Sequence, residues 1–297
     1  MDVGRRTFIT STAAASAAGL STLSAGAFTL PDPKGKAQLN ISCNEGVAPG
    51  ESLNEKFDFL EKHGFAGFEP GGKNLPARVN EFKNALKGRS IRISAITAGF
   101  EGVIISEDTS VRRQAVDSMK EIMTAAGELG STGLIIVPAF NGQTKLGHQE
   151  SRAILLDLLA ELGDHGQKVD SRILLEPLNR KECYFLRQVA DAASICRDVG
   201  NPGICCMGDF WHMTWEETSD MGAIISAGEY LRHMHIASRK RRKMPGEDAG
   251  DNYVDGFRGL KLLGFNDYIS LECGSVGDKN DTIPAAVKLM RDQWAQA

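Results

Sequence analysis

From residue 39 to the end of the chain, short apolar runs alternate with longer segments whose apolar residues return every three or four positions. The short runs fall at 39–43, 66–69, 91–96, 133–137, 172–176, 203–209, 231–236 and 268–272. Near-continuous apolarity in such runs is what strands of a parallel sheet show when both faces are covered. The longer segments at 52–63, 109–129, 149–163, 186–198, 254–263 and 282–295 carry the period of amphipathic helices, with weaker helical patterns at 75–87 and 217–228. Ser52-x-x-Glu55 opens the first of them as a capping box, followed by Leu53, Phe57 and Leu60 on one face. In 109–129, Val111, Ala115, Met119, Ile122, Met123, Ala126 and Leu129 share a side, with Arg112, Arg113, Lys120 and Glu121 elsewhere.

Eight strand–helix units in roughly 250 residues predict an α/β protein, a (β/α)8 TIM barrel. A doubly wound open sheet uses the same alternation but brings a GxGxxG turn after its first strand, which Cys43-Asn44-Glu45-Gly46 does not supply. Composition narrows the function classes. The 297 residues are 42% hydrophobic and 24% charged, ordinary for a globular enzyme. A net charge of −4 argues against nucleic-acid binding by bulk attraction, and no run approaches the roughly 18–20 apolar residues of a membrane span. The six cysteines form no CxxC pair and read as buried small hydrophobes, Cys205 and Cys206 pointing to opposite faces of one strand.

Residues 1–27 read differently. Arg5-Arg6 followed by Phe8, a Ser/Ala stretch and Ala25-Gly26-Ala27 are the parts of a bacterial export signal of twin-arginine type. The expected organisation is therefore a signal at 1–27, a linker at 28–38 and a single catalytic barrel at 39–297, with the mature protein exported to the periplasm.

Barrel chemistry gathers at the C-terminal strand ends. The last four ends carry Glu176, Asp209, His235 and Glu272, separated by 33, 26 and 37 residues, about one strand–helix unit each. Unpaired carboxylates after apolar strands are costly to bury, and a bound cation removes that cost. Three carboxylates and one imidazole without thiolate suit a single divalent metal, Mn²⁺, Mg²⁺ or Co²⁺. Glu69, which closes the second strand before Pro70-Gly71-Gly72, is expected to bind a sugar hydroxyl, with Asn44 and Glu45 as further rim candidates. His233 is expected to face away from the pocket in a structural role. Trp211 and Trp215 offer an apolar wall or core packing.

The segments Leu175-Glu176-Pro177-Leu178-Asn179-Arg180, Gly208-Asp209-Phe210-Trp211-His212-Met213, His233-Met234-His235 followed by Arg241, and Leu271-Glu272 resemble the xylose-isomerase-like barrels, with hydroxypyruvate isomerases and ketose 3-epimerases as the nearest branches. The resemblance covers residues 40–295 and is most specific over 170–275. It implies metal binding by Glu176, Asp209, His235 and Glu272, and substrate contact by His212 and Arg241. After the seventh predicted strand, where those epimerases commonly carry Gly-Glu-x-Asn-Arg, this chain has Ala237-Ser238-Arg239-Lys240-Arg241.

The groups then suggest a chemistry. A divalent ion holding a ketone oxygen and its neighbouring hydroxyl acidifies the adjacent C–H and shares the charge of a cis-enediolate. Glu176 and Glu272, as catalytic residues on opposite sides of the substrate, would take and return the proton, giving an isomerase or epimerase of a small keto-sugar or hydroxy-keto acid. The same site could drive β-elimination, a lyase or dehydratase acting on 3-keto-glycosides or keto-polyols. A DNA-repair endonuclease of the same superfamily needs three zincs and more histidines than the six present. A non-catalytic sugar-binding protein would show no proton exchange. The expected partner is a small carbohydrate, with no nucleic acid and no membrane span, and the sequence is compatible with a homo-oligomer. The run Arg239-Lys240-Arg241-Arg242-Lys243 and the loop to Asp255 read as a long cover over the strand end, with one or two arginines on the substrate.

Overall fold

The computed structural model describes residues 37–297. The expected export segment and nearly all of the linker lie outside the described residues. Nine parallel strand segments run β1 (Asn40–Asn44), β2 (Gly67–Glu69), β3 (Arg92–Ile93), β4 (Ile96–Thr97), β5 (Leu134–Ile136), β6 (Ile173–Leu175), β7 (Ile204–Asp209), β8 (Leu231–Ile236) and β9 (Tyr268–Leu271). Their order is β3-β2-β1-β9-β8-β7-β6-β5-β4. The helices are α1 (Leu53–Lys62), α2 (Leu75–Ala85), α3 (Thr109–Glu128), α4 (His148–Val169), α5 (Val189–Val199), α6 (Phe210–Glu216), α7 (Asp220–Ala227), α8 (Val254–Leu263) and α9 (Lys279–Gln296).

The sheet closes through the third predicted strand, 91–96, which divides into β3 and β4. The two segments at the ends of the order are consecutive in the chain, and Ser94 joins them: its N–H donates to Phe68 O on β2 while its carbonyl accepts from Thr132 N, ahead of β5. One strand thus passes from one neighbour to the other, and the eight-unit barrel of the sequence reading stands.

Side chains two residues apart on a strand share a face, and the faces divide cleanly. Ile41, Cys43, Phe68, Ile136, Leu175, Cys206, Met234, Ile236 and Leu271 point outward into the layer beneath the helices, part of one continuous core. Ala95, Ile135, Leu174, Cys205 and Met207 form a separate apolar cluster inside the barrel. The rest of the interior is polar: Ser42, Ser94, Glu69, His233 and Ser270 are all wholly buried, with Ser42 Oγ 2.7 Å from Ser94 Oγ. The adjoining cysteines do diverge as expected, Cys205 inward and Cys206 outward.

Two helices depart from the sequence reading. The pattern at 149–163 extends to Val169, because Gly163 and Gly166, which look like helix terminators, are sites of close approach. A Cβ on Gly163 would lie 2.5 Å from the Asn201 side chain, and one on Gly166 would lie 2.6 Å from Ser171 O. Helix α6 was not anticipated at all, since seven residues hold too few turns to display a period. Its signal is local: Asp209 Oδ1 accepts from Trp211 N at 2.8 Å, an N-cap set directly on the end of β7. Among the described residues, no helix is long and apolar enough to cross a membrane.

The base of the loop between β8 and α8 is an aromatic cluster. The Phe257 ring on α8 packs with its centroid 5.9 Å from Phe210 and 5.4 Å from Trp294, and it is wholly buried. Phe257→Ala is expected to cost about 3–5 kcal/mol of stability, read as a lower urea midpoint in an equilibrium unfolding curve.

Candidate active site

Strands β6, β7, β8 and β9 are consecutive neighbours in the barrel, so residues at their C-terminal ends line one arc of its mouth. Glu176 directly follows β6, its N–H donating to Ile136 O at 3.0 Å, and Glu272 directly follows β9, its N–H on Ile236 O at 3.3 Å. Asp209 pairs in register with His235, and His235 with Ser270. All four side chains have the inward parity. The structure brings one ligand atom from each of Glu176, Asp209, His235 and Glu272 within 4.8 Å of one another.

Three of the four are buried, and Glu272 is partly exposed. Glu176 is 6% exposed, Asp209 1% and His235 0%. His235 Nδ1 lies 3.1 Å from Glu272 Oε2 and 3.5 Å from Glu176 Oε1. Burial pushes the Glu176 carboxyl up from its ordinary range. Burial also pushes Glu272 up, but the His235 ring and the Arg242 guanidinium outweigh it and hold that carboxyl at about 2. The His235 ring is disfavoured as a cation by burial, yet the Glu69 and Glu272 carboxylates raise it well above an ordinary imidazole. The arc therefore draws positive charge into its centre.

Whether a divalent metal fits that centre can be judged from the polar atoms left over. Glu176 Oε1 and His235 Nδ1 are buried without a hydrogen-bond partner, and both face the same space. Buried polar atoms without partners are uncommon and costly, and here they belong to two of the four inward ligands. Three oxygen donors and one imidazole nitrogen are a donor set for a hard or borderline divalent ion. The residues fit the metal.

His212 lies beside the arc on α6. Its Nδ1 accepts from Asn179 N at 3.0 Å and lies 2.9 Å from Asn179 Nδ2. That leaves the proton of the neutral ring on Nε2, which is buried, unpartnered and 3.5 Å from Asp209 Oδ2. A donor so placed suits a substrate oxygen, and Asn179 is a contributor that sequence reasoning quoted but gave no role.

Three expectations need correction. Arg241 does not face the site: its guanidinium pairs with Asp248 and with Glu247 O, and its side chain is 53% exposed. Arg242 takes that place, with one nitrogen on Glu272 Oε2 at 2.5 Å and 3.4 Å from Asp209 Oδ2, and its guanidinium 4.6 Å above the Trp211 ring. The loop sets the choice. Asp248 also accepts from Ser238 Oγ and from the N–H groups of Lys240 and Arg241, while Arg239 pairs with Asp220, and Arg242 adopts a left-handed backbone, φ 52°, that turns it inward. Glu69 is not at the rim either. It is wholly buried, with its oxygens taken by Thr97, Asn44, His233 and His235. His233 faces inward rather than away, because it stands two residues from His235 and so shares its face.

Other rim candidates resolve similarly. Asn44 serves Glu69 and Thr97, and Glu45 pairs with Arg78 at 2.7 Å. Trp211 lies under Arg242 with its Nε1 buried and unpartnered, whereas Trp215 is 43% exposed beneath Lys181. Glu182 was missed. It is six residues beyond Glu176, its Oε1 accepts from Asn179 Nδ2 at 3.1 Å, and its charge acts on Arg242. Glu69, His233 and His235 form a second close group, but its contacts of 2.7 and 3.0 Å are ordinary nitrogen–oxygen hydrogen bonds.

A barrel with a metal-ready arc of strand-end ligands defines the class, and the comparisons define the family. The model of the xylose isomerase-like TIM barrel matches residues 57–293. A D-psicose 3-epimerase of Ruminiclostridium cellulolyticum is 33% identical over 259 residues, covering 80% of this chain and 87% of that protein. A 3-dehydro-D-guloside 4-epimerase of Escherichia coli is 27% identical over 77% of this chain and 89% of that protein. The solved 3-keto-D-glucoside 4-epimerase of E. coli superposes with a TM-score of 0.78 at 24% identity, covering 87% of this chain and all of that one. The chain belongs to the xylose isomerase-like TIM barrel family, and with this ligand cluster it is a metal-dependent enzyme.

A charge-assisted contact of the kind Arg242 can offer is worth about 1.5–3 kcal/mol. Arg242→Gln is therefore expected to lower kcat/KM by roughly ten- to a hundredfold, against a change of less than about threefold for Arg241→Gln. Steady-state kinetics of the two variants side by side check the assignment.

Proposed function

We propose that the protein is a divalent-metal-dependent epimerase or isomerase of a small keto-sugar. The observation that carries the reading is the arc itself: two glutamates at its outer ends, Glu176 after β6 and Glu272 after β9, with Asp209 and His235 between them. The relatives named for 3-dehydro-D-guloside and D-psicose support a six-carbon keto-sugar, free or glycosidically linked.

Glu176, Asp209, His235 and Glu272 would hold the metal, and the oxygen-rich donor set favours Mn²⁺, Mg²⁺ or Co²⁺ over a thiolate-seeking ion. When bound, the cation supplies a Lewis acid that polarises the substrate ketone and makes the neighbouring C–H more acidic. The chain's own residues do the rest. One of the two glutamates takes that proton as a carboxylate, and the other, as the acid, returns a proton to the opposite side of the carbon. Each turnover exchanges the protonation states of the pair, so a proton must pass to and from water before the next cycle. His212 Nε2–H donates to a substrate oxygen, Arg242 binds a second one, and the Trp211 ring supports the guanidinium from below.

Incubation with a keto-hexose and Mn²⁺ in deuterated water is expected to place deuterium on the carbon beside the ketone. Glu176→Gln and Glu272→Gln should each lower both turnover and deuterium uptake by at least about a thousandfold while leaving the far-UV circular dichroism spectrum intact. Full activity in both variants would refute the assigned roles.

We further propose that the protein is exported to the periplasm by a twin-arginine signal, on the strength of Arg5-Arg6, Phe8 and Ala25-Gly26-Ala27. Replacing both arginines by lysine (Arg5→Lys with Arg6→Lys) is expected to move the protein from the periplasmic to the cytoplasmic fraction of a bacterial host. An unchanged distribution would remove the proposal.

A further inference from the structure

Glu69 is the one acidic side chain of the barrel interior that does not face the arc directly, and it is the most heavily engaged. It ends β2, three strands along the order from β8, and reaches across the interior to both histidines of that strand. Its Oε2 accepts from His233 Nε2 at 2.7 Å. Its Oε1 accepts from His235 Nε2 at 3.0 Å, from Thr97 Oγ1 at 2.6 Å and from Asn44 Nδ2 at 3.3 Å. Glu69, His233 and His235 are all 0% exposed, and the two rings stand nearly perpendicular, at 85°.

This arrangement dictates which nitrogen of His235 is free. An ionised carboxylate only accepts, so the ring nitrogen 3.0 Å from it must carry a proton; a lone pair there would face Glu69 Oε1. In the neutral ring the lone pair is then on Nδ1. Nδ1 is the atom that lies 3.1 Å from Glu272 and 3.5 Å from Glu176, buried with no hydrogen-bond partner. The other three donors hold the carboxylate itself: His233 fixes one oxygen, Thr97 and Asn44 the other, so the acceptor that faces His235 cannot rotate away.

We propose that Glu69 is a positioning residue: it fixes His235 in the tautomer and ring orientation that present the Nδ1 lone pair to the metal. It acts through His235 and touches neither substrate nor metal. The role replaces the sugar contact expected of Glu69, and it rests on the reading of Glu176, Asp209, His235 and Glu272 as the metal site. Outer carboxylates of this kind contribute about ten- to a hundredfold to metal affinity. A carboxamide at the same position has one accepting oxygen in place of two, so it cannot accept from both histidines in their present tautomers.

The test is titration calorimetry of the full protein with MnCl₂, comparing wild type, Glu69→Gln and Glu176→Gln, with thermal melts of each in the absence of metal. The expected result is one Mn²⁺ per wild-type chain, loss of binding in Glu176→Gln, and a ten- to hundredfold weaker Kd in Glu69→Gln. Wild-type affinity in Glu69→Gln together with loss in Glu176→Gln would overturn the positioning role and leave the metal site standing. Wild-type affinity in Glu176→Gln would instead overturn the metal-site reading. Should Glu69→Gln fail to fold, two-bond ¹H–¹⁵N correlation spectra of the wild-type histidines, saturated with Mg²⁺, decide the matter. A proton on His235 Nε2 with Nδ1 bare supports the proposal, and the reverse tautomer refutes it.

Discussion

The interior of this barrel must hold four carboxylates, Glu69, Glu176, Asp209 and Glu272, in or beside a space closed off by strands. Isolated charges there are prohibitively expensive, so every other feature of the site can be read as an answer to that constraint. Two answers are visible. Glu69 is neutralised sideways by His233, His235, Thr97 and Asn44. Of the other three, Glu176 and Glu272 flank His235 Nδ1, while Asp209 and Glu272 receive one edge of the Arg242 guanidinium. The second answer is incomplete, because Glu176 Oε1 is left without a partner. A cation at the centre of the arc would complete it. The interior cluster of Ala95, Ile135, Leu174, Cys205 and Met207 is apolar and needs no such balance. On β6 and β7 the packing lies two residues before the charge, Leu174 before Glu176 and Met207 before Asp209.

Strand parity is what makes this economical. In β8 one face supplies His233 and His235, while Met234 and Ile236 enter the outer core. In β7 Met207 packs inside, Cys206 packs outside, and Asp209 ends the strand, caps α6 and faces the arc. A single carboxylate therefore terminates a strand, starts a helix and serves the site. Helix α6 in turn places His212 and Trp211 within reach of the same space.

The barrel and the convergence of Glu176, Asp209, His235 and Glu272 at its mouth were legible because both rest on local periodicity plus a repeat length. Apolar runs mark strands, and a polar residue at the end of each of the last four runs marks the mouth. What could not be read depended on contacts between distant residues. Gly163 and Gly166 look like helix breakers until Asn201 and Ser171 are seen against them. Glu69 looks like a rim residue until two histidines more than 160 positions away close over it. Arg241 and Arg242 are indistinguishable by type, and only Asp248, which gathers the loop by accepting from Ser238, Lys240 and Arg241, decides which one turns inward. The orientation of His233 was within reach from sequence, since a spacing of two on a strand fixes a shared face.

These two kinds of support also divide the labour of the site. The ligand arc is carried by strand ends, where backbone hydrogen bonds such as Glu176 N to Ile136 O tie each residue into the closed sheet. Arg242 is carried by a loop whose shape is set by its own ion pairs, Arg239 with Asp220 and Arg241 with Asp248, and by the aromatic base of Phe210, Tyr253 and Phe257. The loop is tied to the arc at one point: Gly274 N, two residues beyond Glu272, donates to Arg242 O at 2.9 Å, and the Arg242 guanidinium itself bonds Glu272. Relatives at 27% and 33% identity carry names that differ in both the sugar and the carbon inverted. In this chain the ligand-type side chains sit on strand ends and the arginine beside them on a loop, and loops on a shared scaffold are where specificity most readily varies.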